Sequence, residues 1–338
     1  MKLFINRFYR TIRRALRSSN PVLQRNSNLH THFEHARMIV LFYYIASVYV
    51  SSEILLDIGK LVKTTSVWDF LWPLYWVDPQ NASIQLGVIG TLCFVSSLLA
   101  AVFHKIQAIR FIFCAFFLLA STVTNSWAGI NHEYHAWFWV SFFLIFLPGE
   151  PLQRPKHASR AYMMTYTTAF SIAPVMLFLF YSMSGSWKIA IAIRAVIRGE
   201  DGAFSPQGLA YNLADRIVAT GTDPLLAGFF IENYVLSWLG YLAVMYIQIT
   251  AIAVAFRPRL HRLWGIFIIL FHLGTFLLME IMFIQHVLLL TMFFVFSPFR
   301  PVDFELRNSV ADLPLVGRFV LLLTGNSPRR SKAPNVKG

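Results

Sequence analysis

YMMTYTTAFSIAPVMLFLFYSMSGSWK, residues 162–188, decides the fold, because an apolar run of membrane-spanning length ends here on a lysine. The hydrocarbon core of a bilayer takes about 20 apolar residues of helix. A charge at that depth costs roughly 2.5–3.5 kcal/mol. Lys188 therefore snorkels to the headgroups, pairs with an acid, or sheds its proton and becomes a base.

The rest of the chain repeats the pattern. Hydrophobic residues make up 57% of the 338 and charged residues 13%, with 32 phenylalanines and 9 tryptophans, more than a soluble core of this size usually holds. Lipid leaves backbone groups no water to bond, and the runs lack strand-like alternation, so they predict helices rather than a barrel. Candidate spans cover 37–58, 84–103, 108–126, 134–148, 162–184, 226–256, 263–280 and 283–298. The expected fold is all-α, a polytopic membrane helical bundle of about eight transmembrane helices. The sixth run is longer than one crossing needs, and the fourth and eighth are short enough to be partly re-entrant.

The net charge of +13 is distributed as membrane topology rather than as a nucleic-acid surface, and no nucleic-acid partner is expected. His104, Lys105 and Arg110, then Arg154, Lys156 and Arg160, then Arg257, Arg259 and Arg262 follow the second, fourth and sixth spans, which puts these connections in the cytoplasm. The basic N-terminus and the tail with Arg318, Arg329, Arg330 and Lys332 agree, so both termini are cytoplasmic. Residues 1–35 read as a basic segment, either amphipathic on the anionic leaflet or a plain topogenic tail, with no cleavable signal pattern. Residues 36–300 form the transmembrane domain, and 301–338 a second basic tail. A bacterial inner membrane suits this layout, and an endoplasmic reticulum membrane carries the same bias.

The opposite face receives 59–83, with Trp68, Trp72, Trp76 and Asp78, then Trp127 to Glu133, then 185–225 and the turn near Glu280. The tryptophans fit an interfacial belt or a grip on a flat ligand. In IAIAIRAVIR, 189–198, Ile189, Ile193, Val196 and Ile197 share one helical face, and Arg194 and Arg198 share another. That predicts an amphipathic interfacial helix after the fifth span, with Lys188 at the elbow.

Polar residues within or beside the spans are the site candidates. Asn131 and His132 precede the fourth span at the depth to which the fifth delivers Lys188. A lysine kept neutral can take a proton, while Asn or His donors steady the anion that results. His272 lies inside the seventh span; a hydrogen bond to a neighbouring helix is its plain alternative. His135 reads as a satisfied core histidine. Glu53 and Asp57, one turn apart, are placed to pair with Lys60 or Lys188. Cys93 and Cys114 lie in separate spans and read as packing thiols. No phosphate loop, HExxH, GxSxG or EF-hand pattern occurs, and no metal is expected.

Three motifs in order carry a resemblance: NSWAGINHEYHAWFW at 125–139, YSMSGSWKI at 181–189 and FHLG at 271–274. Over roughly 35–300 the chain resembles the integral-membrane region of vitamin K-dependent gamma-glutamyl carboxylase and the horizontally transferred transmembrane (HTTM) proteins. The resemblance implies that Lys188 deprotonates reduced vitamin K or menaquinone, with Asn131 and His132 supporting the oxyanion. It places Trp127, Tyr181, Gly185, Trp187 and His272 at the cofactor. Oxygen-dependent epoxidation follows, generating a base strong enough to let a protein glutamate accept carbon dioxide. Two departures bear on this. Trp187 stands where the carboxylase has a second lysine, and the large extracytoplasmic region that holds its peptide substrate has no counterpart in these 338 residues. Two functions are therefore open: a quinol-using enzyme of the carboxylase type, or a non-catalytic protein of the same fold that binds a lipid, a quinone or a partner membrane protein. A transporter is disfavoured, since the halves show no repeat.

Overall fold

The structure, a computed structural model, describes residues 26–64, 68–126, 133–149, 158–200, 202, 204–299, 306–317 and 319. These residues are all-helical, without strands. The helices are α1 (Asn26–Thr64), α2 (Ala82–Phe103), α3 (Gln107–Asn125), α4 (His135–Leu144), α5 (Arg160–Phe170) and α6 (Ile172–Ile197). They continue as α7 (Gly208–Thr220), α8 (Ala227–Glu232), α9 (Tyr234–Ala255), α10 (His261–Met279), α11 (Ile284–Leu290) and α12 (Leu306–Ala311). Six are long and apolar enough to cross a membrane: α1, α2, α3, the α5–α6 pair, α9 and α10. His135–Leu144 and Ile284–Val295 are shorter apolar helices.

Boundaries differ from expectation where polarity was read as a break. Before residue 37, His30, His32, Glu34 and His35 are polar but include neither Pro nor Gly, so α1 begins at Asn26. The 226–256 run divides at Asn233, whose side chain donates back to the Phe229 carbonyl at 2.9 Å. No elbow occurs at Lys188. α6 runs on through it to Ile197, where Gly199 at φ 69 closes a Schellman motif, with Glu200 N–H on Ala195 O and Gly199 N–H on Val196 O. The interruption lies earlier, between α5 and α6 at Ser171. Pro174, lacking an N–H, leaves the Phe170 carbonyl without its helical partner there.

α1 packs on α2, α3 and α5, and α6 packs on α9 and α4, which joins the two halves of the bundle. Tyr43 of α1 stacks on Trp137 of α4 at 5.0 Å, and the indole Nε1–H donates to Ser47 Oγ at 3.0 Å. Cys93 and Cys114 are buried and unpaired, as packing thiols should be. α11 ends in a π-helical turn, Thr291–Val295, which lies against Gly265 of α10; a Cβ at Gly265 would stand 2.8 Å from Phe294 Cβ.

Arg110 is 2% exposed, and its guanidinium donates to the carbonyls of His104, Ile145 and Leu147. One side chain thus gathers the turn after α2 and the end of α4. Arg110→Met removes those donors, and each orphaned carbonyl costs about 1–3 kcal/mol. A marked drop in the thermal midpoint of the detergent-solubilised protein is the expected result, measured against an exposed control such as Arg194→Met.

Candidate functional site

At Gly185 the backbones of α6 and α9 pack directly against each other. A Cβ there would lie 2.9 Å from Ile249 Cγ1 and 3.0 Å from Ile249 N, so only glycine lets the two backbones meet. One turn earlier, Ser182 Oγ donates to the Gln248 carbonyl at 3.1 Å and accepts from Ile252 N–H at 2.9 Å. The hydroxyl therefore inserts into the Gln248–Ile252 rung of α9. This crossing sets Gln248 opposite Lys188, whose Nζ donates to Gln248 Oε1 at 3.0 Å. Among the described residues Lys188 forms no ion pair.

Tyr181 and Lys188 are seven residues apart on α6, two turns or about 10 Å along the axis. Between them opens a cavity of about 990 Å³, bounded by α6, α9, α10, α11 and the start of α4. Most of its wall is apolar. At 68% exposure Trp187 stands at the mouth, on the outer flank of α6. Phe271 lies beneath the amine, its ring centre 5.6 Å from Nζ. Deeper in, Tyr181 Oη meets His272 Nε2 at 2.7 Å and His286 Nδ1 at 3.0 Å. His272 Nδ1 is buried with no hydrogen-bond partner among the described residues.

The turn after α10 aims the α11 residues. α10 ends on Glu280 in the left-handed region, φ 54, whose N–H returns to the Phe276 carbonyl at 2.8 Å, and the chain then reverses through Phe283 into α11. α7 lies over the same end. Its Arg216 donates to the Met279 carbonyl at 2.9 Å, a cation at a helix C-terminus.

The structure brings Lys188, Tyr181, Trp187 and His272 to one cavity, together with His135. Gly185 does not line it and acts through the helix crossing. Trp127, Asn131 and His132 lie outside the described residues. Asp57 pairs with Lys60 at 3.2 Å and accepts from Tyr134 Oη at 3.0 Å, which settles its partner as Lys60 rather than Lys188. Two site residues escaped the sequence reading, Gln248 and His286. The first is an uncharged amide inside an apolar helix, a weaker signal than a charge but one that in lipid calls for a partner on a neighbouring helix. The second, His286, carries no signal in its own sequence neighbourhood; folding places it beside His272, with ring centres 5.3 Å apart.

Among the described residues no group of three or more His, Cys, Asp or Glu side chains is arranged to hold a metal ion. Comparison of the chain with protein-family models, curated proteins and solved structures yields no match.

Proposed function

We propose that the chain is a multi-pass membrane protein of the carboxylase-like HTTM group whose cavity takes a flat, lipid-soluble hydroquinone, such as reduced menaquinone or vitamin K. Lys188 is the base that removes its hydroxyl proton. The observation that carries this is the setting of Nζ: it faces a large apolar cavity, bonded to a neutral amide and with no ion-pair partner among the described residues. An uncharged amine that donates to Gln248 keeps a lone pair for the incoming proton. Once protonated, it stands beside the oxygen on which negative charge has formed.

The residues fit such a ligand. Trp187 and Phe271 offer ring faces, and the unpartnered His272 Nδ1 offers a polar contact at depth. Bound here, a hydroquinone supplies the oxygen-reactive ring; the protein's part is to hold it and to receive its proton. The mouth on the flank of α6 suits entry from lipid. In this arrangement His135–Leu144 and Ile284–Val295 complete eight crossings, both termini are cytoplasmic, and the cavity lies toward the outer leaflet, as the basic connections require. A bacterial inner membrane is the proposed location.

The approach of Nζ to the Phe271 ring favours a second reading. There Lys188 remains an ammonium in a cation–π contact, and the cavity holds an anionic lipid without reaction.

The test is reconstitution in lipid nanodiscs with reduced menaquinone and oxygen, with and without bicarbonate and a glutamate-containing peptide. Epoxide from wild type and none from Lys188→Ala is the expected result, with γ-carboxyglutamate marking a glutamate acceptor. Equal epoxide from both ends the base role. Saturable quenching of tryptophan fluorescence without product leaves a non-catalytic hydroquinone-binding site, and absence of binding ends the hydroquinone reading, with quenching by anionic-lipid nanodiscs alone then supporting the second.

A further inference from the structure

The side-chain amide of Gln248 has two ends, and only one of them is spent on Lys188. Oε1 accepts from Nζ at 3.0 Å, while Nε2, carried on the same carbon, has no hydrogen-bond partner among the described residues. Gln248 is 2% exposed and lines the cavity. Amide protons in so apolar a setting call for an acceptor, and the ligand of the cavity is the group placed to supply one.

Lys188 sets which way the amide points. An ammonium has only protons to offer, so it must face Oε1. A neutral amine can take either end, but an N–H donated to it would occupy the lone pair on which the base depends. With Oε1 toward Nζ, the lysine keeps the same bond in both protonation states, and Nε2 is left for another acceptor in both. The helix crossing holds this arrangement. Ser182 Oγ donates to the Gln248 backbone carbonyl at 3.1 Å, and Gly185 lets α9 approach α6 closely enough for the two side chains to meet.

We propose that Gln248 is a second catalytic residue, whose Nε2 donates to the hydroquinone oxygen while Lys188 takes the proton from it. The substrate hydroxyl gives its O–H to the Nζ lone pair and accepts an N–H from Nε2, so hydroxyl, amine and amide close a ring of three hydrogen bonds. On transfer the O–H bond breaks, an N–H bond forms at Nζ, and the electron pair stays on the oxygen. Negative charge thus develops between two donors already in place. Hydrogen bonds to an ionised oxygen are roughly twice as strong as those to a neutral one, so the amide stabilises the transition state more than the bound hydroxyl. This role rests on the hydroquinone reading, and it supplies an oxyanion donor from α9 that does not depend on Asn131 or His132.

The contact is tested without turnover, by NMR of the full-length protein in nanodiscs with nitrogen-15 in its glutamine side chains. The probe is 1-naphthol, a phenol, in the absence of oxygen. Gln248→Met removes one amide signal and so assigns it, and tryptophan quenching reports occupancy. Binding is expected to move the Gln248 amide protons downfield in wild type. Bound naphthol that leaves them in place overturns the proposal while the hydroquinone reading stands; naphthol that does not bind ends both. Epoxide formation from reduced menadione then tests the chemical role. Gln248→Met is expected to lower kcat about 10²–10³-fold, the range for loss of one oxyanion donor, with KM changed less than tenfold. A loss confined to KM, or an unchanged kcat, overturns catalysis by Gln248. A wild type that binds naphthol but forms no epoxide ends the deprotonation chemistry, and the catalytic role of Gln248 with it.

Discussion

Lys188→Ala lowers the rate of hydroquinone deprotonation by about 10²–10⁴-fold, the range that a positioned general base contributes. Binding falls much less. A single hydrogen bond is worth about 1 kcal/mol net, or less than tenfold in affinity, while the apolar wall of the cavity is unchanged. The split between lost turnover and retained binding distinguishes a base from an anchor. Lys188→Arg sharpens it. A guanidinium stays charged, so it cannot act as the base, yet it holds an anionic headgroup at least as well as an ammonium. An arginine variant that binds hydroquinone and yields no epoxide supports catalysis by the lysine. Full activity in that variant overturns it. Parallel measurement of tryptophan quenching and epoxide formation in nanodiscs reads both quantities from one preparation.

Gly185→Leu is expected to be the most disruptive single change to the site without touching its lining. Even a Cβ at this position meets the Ile249 backbone nitrogen at 3.0 Å, and backbone cannot rotate aside as a side-chain tip does. α6 and α9 must separate. Overpacking of this kind costs about 1–3 kcal/mol. Separation also loosens the Ser182 hydroxyl from α9 and takes Gln248 from Lys188. A lower thermal midpoint together with at least tenfold weaker hydroquinone binding is the predicted pair of effects. Gly59→Leu is the control, since a Cβ there meets nothing within 4 Å. Equal behaviour of the two variants removes the crossing from the account of the site.

Much of the architecture was legible before any coordinates. Apolar runs of about 20 residues find only one stable form in lipid, a helix with all backbone bonds internal, so the six long helices lie where the hydrophobicity placed them. Helix ends were less legible. Lys188 looked like a boundary because it is charged, but a lysine is a good helix former and the chain turns only where Gly199 permits a positive φ. The same confusion of polarity with interruption hid the start of α1. At the site, Lys188 and His272 were visible because a charge or an imidazole inside an apolar run is costly. Gln248 was passed over, being neutral, and His286 was passed over because its significance depends on what stands next to it.

Sequence alone determined that this chain is a bundle of apolar helices with a basic, topologically biased set of connections, and that position 188 on the fifth apolar run is chemically conspicuous. Those properties are local: they depend on run length, side-chain polarity and the absence of water to satisfy a backbone. Only the tertiary structure decided that Lys188 meets Gln248 across the Gly185 crossing, that Asp57 pairs with Lys60, and that Tyr181 joins two histidines separated by fourteen residues and a reversal of the chain. Such pairings depend on how closely helices approach and how they rotate about their axes. A glycine, a serine wedged into a neighbouring helix and a left-handed turn at Glu280 set those quantities here.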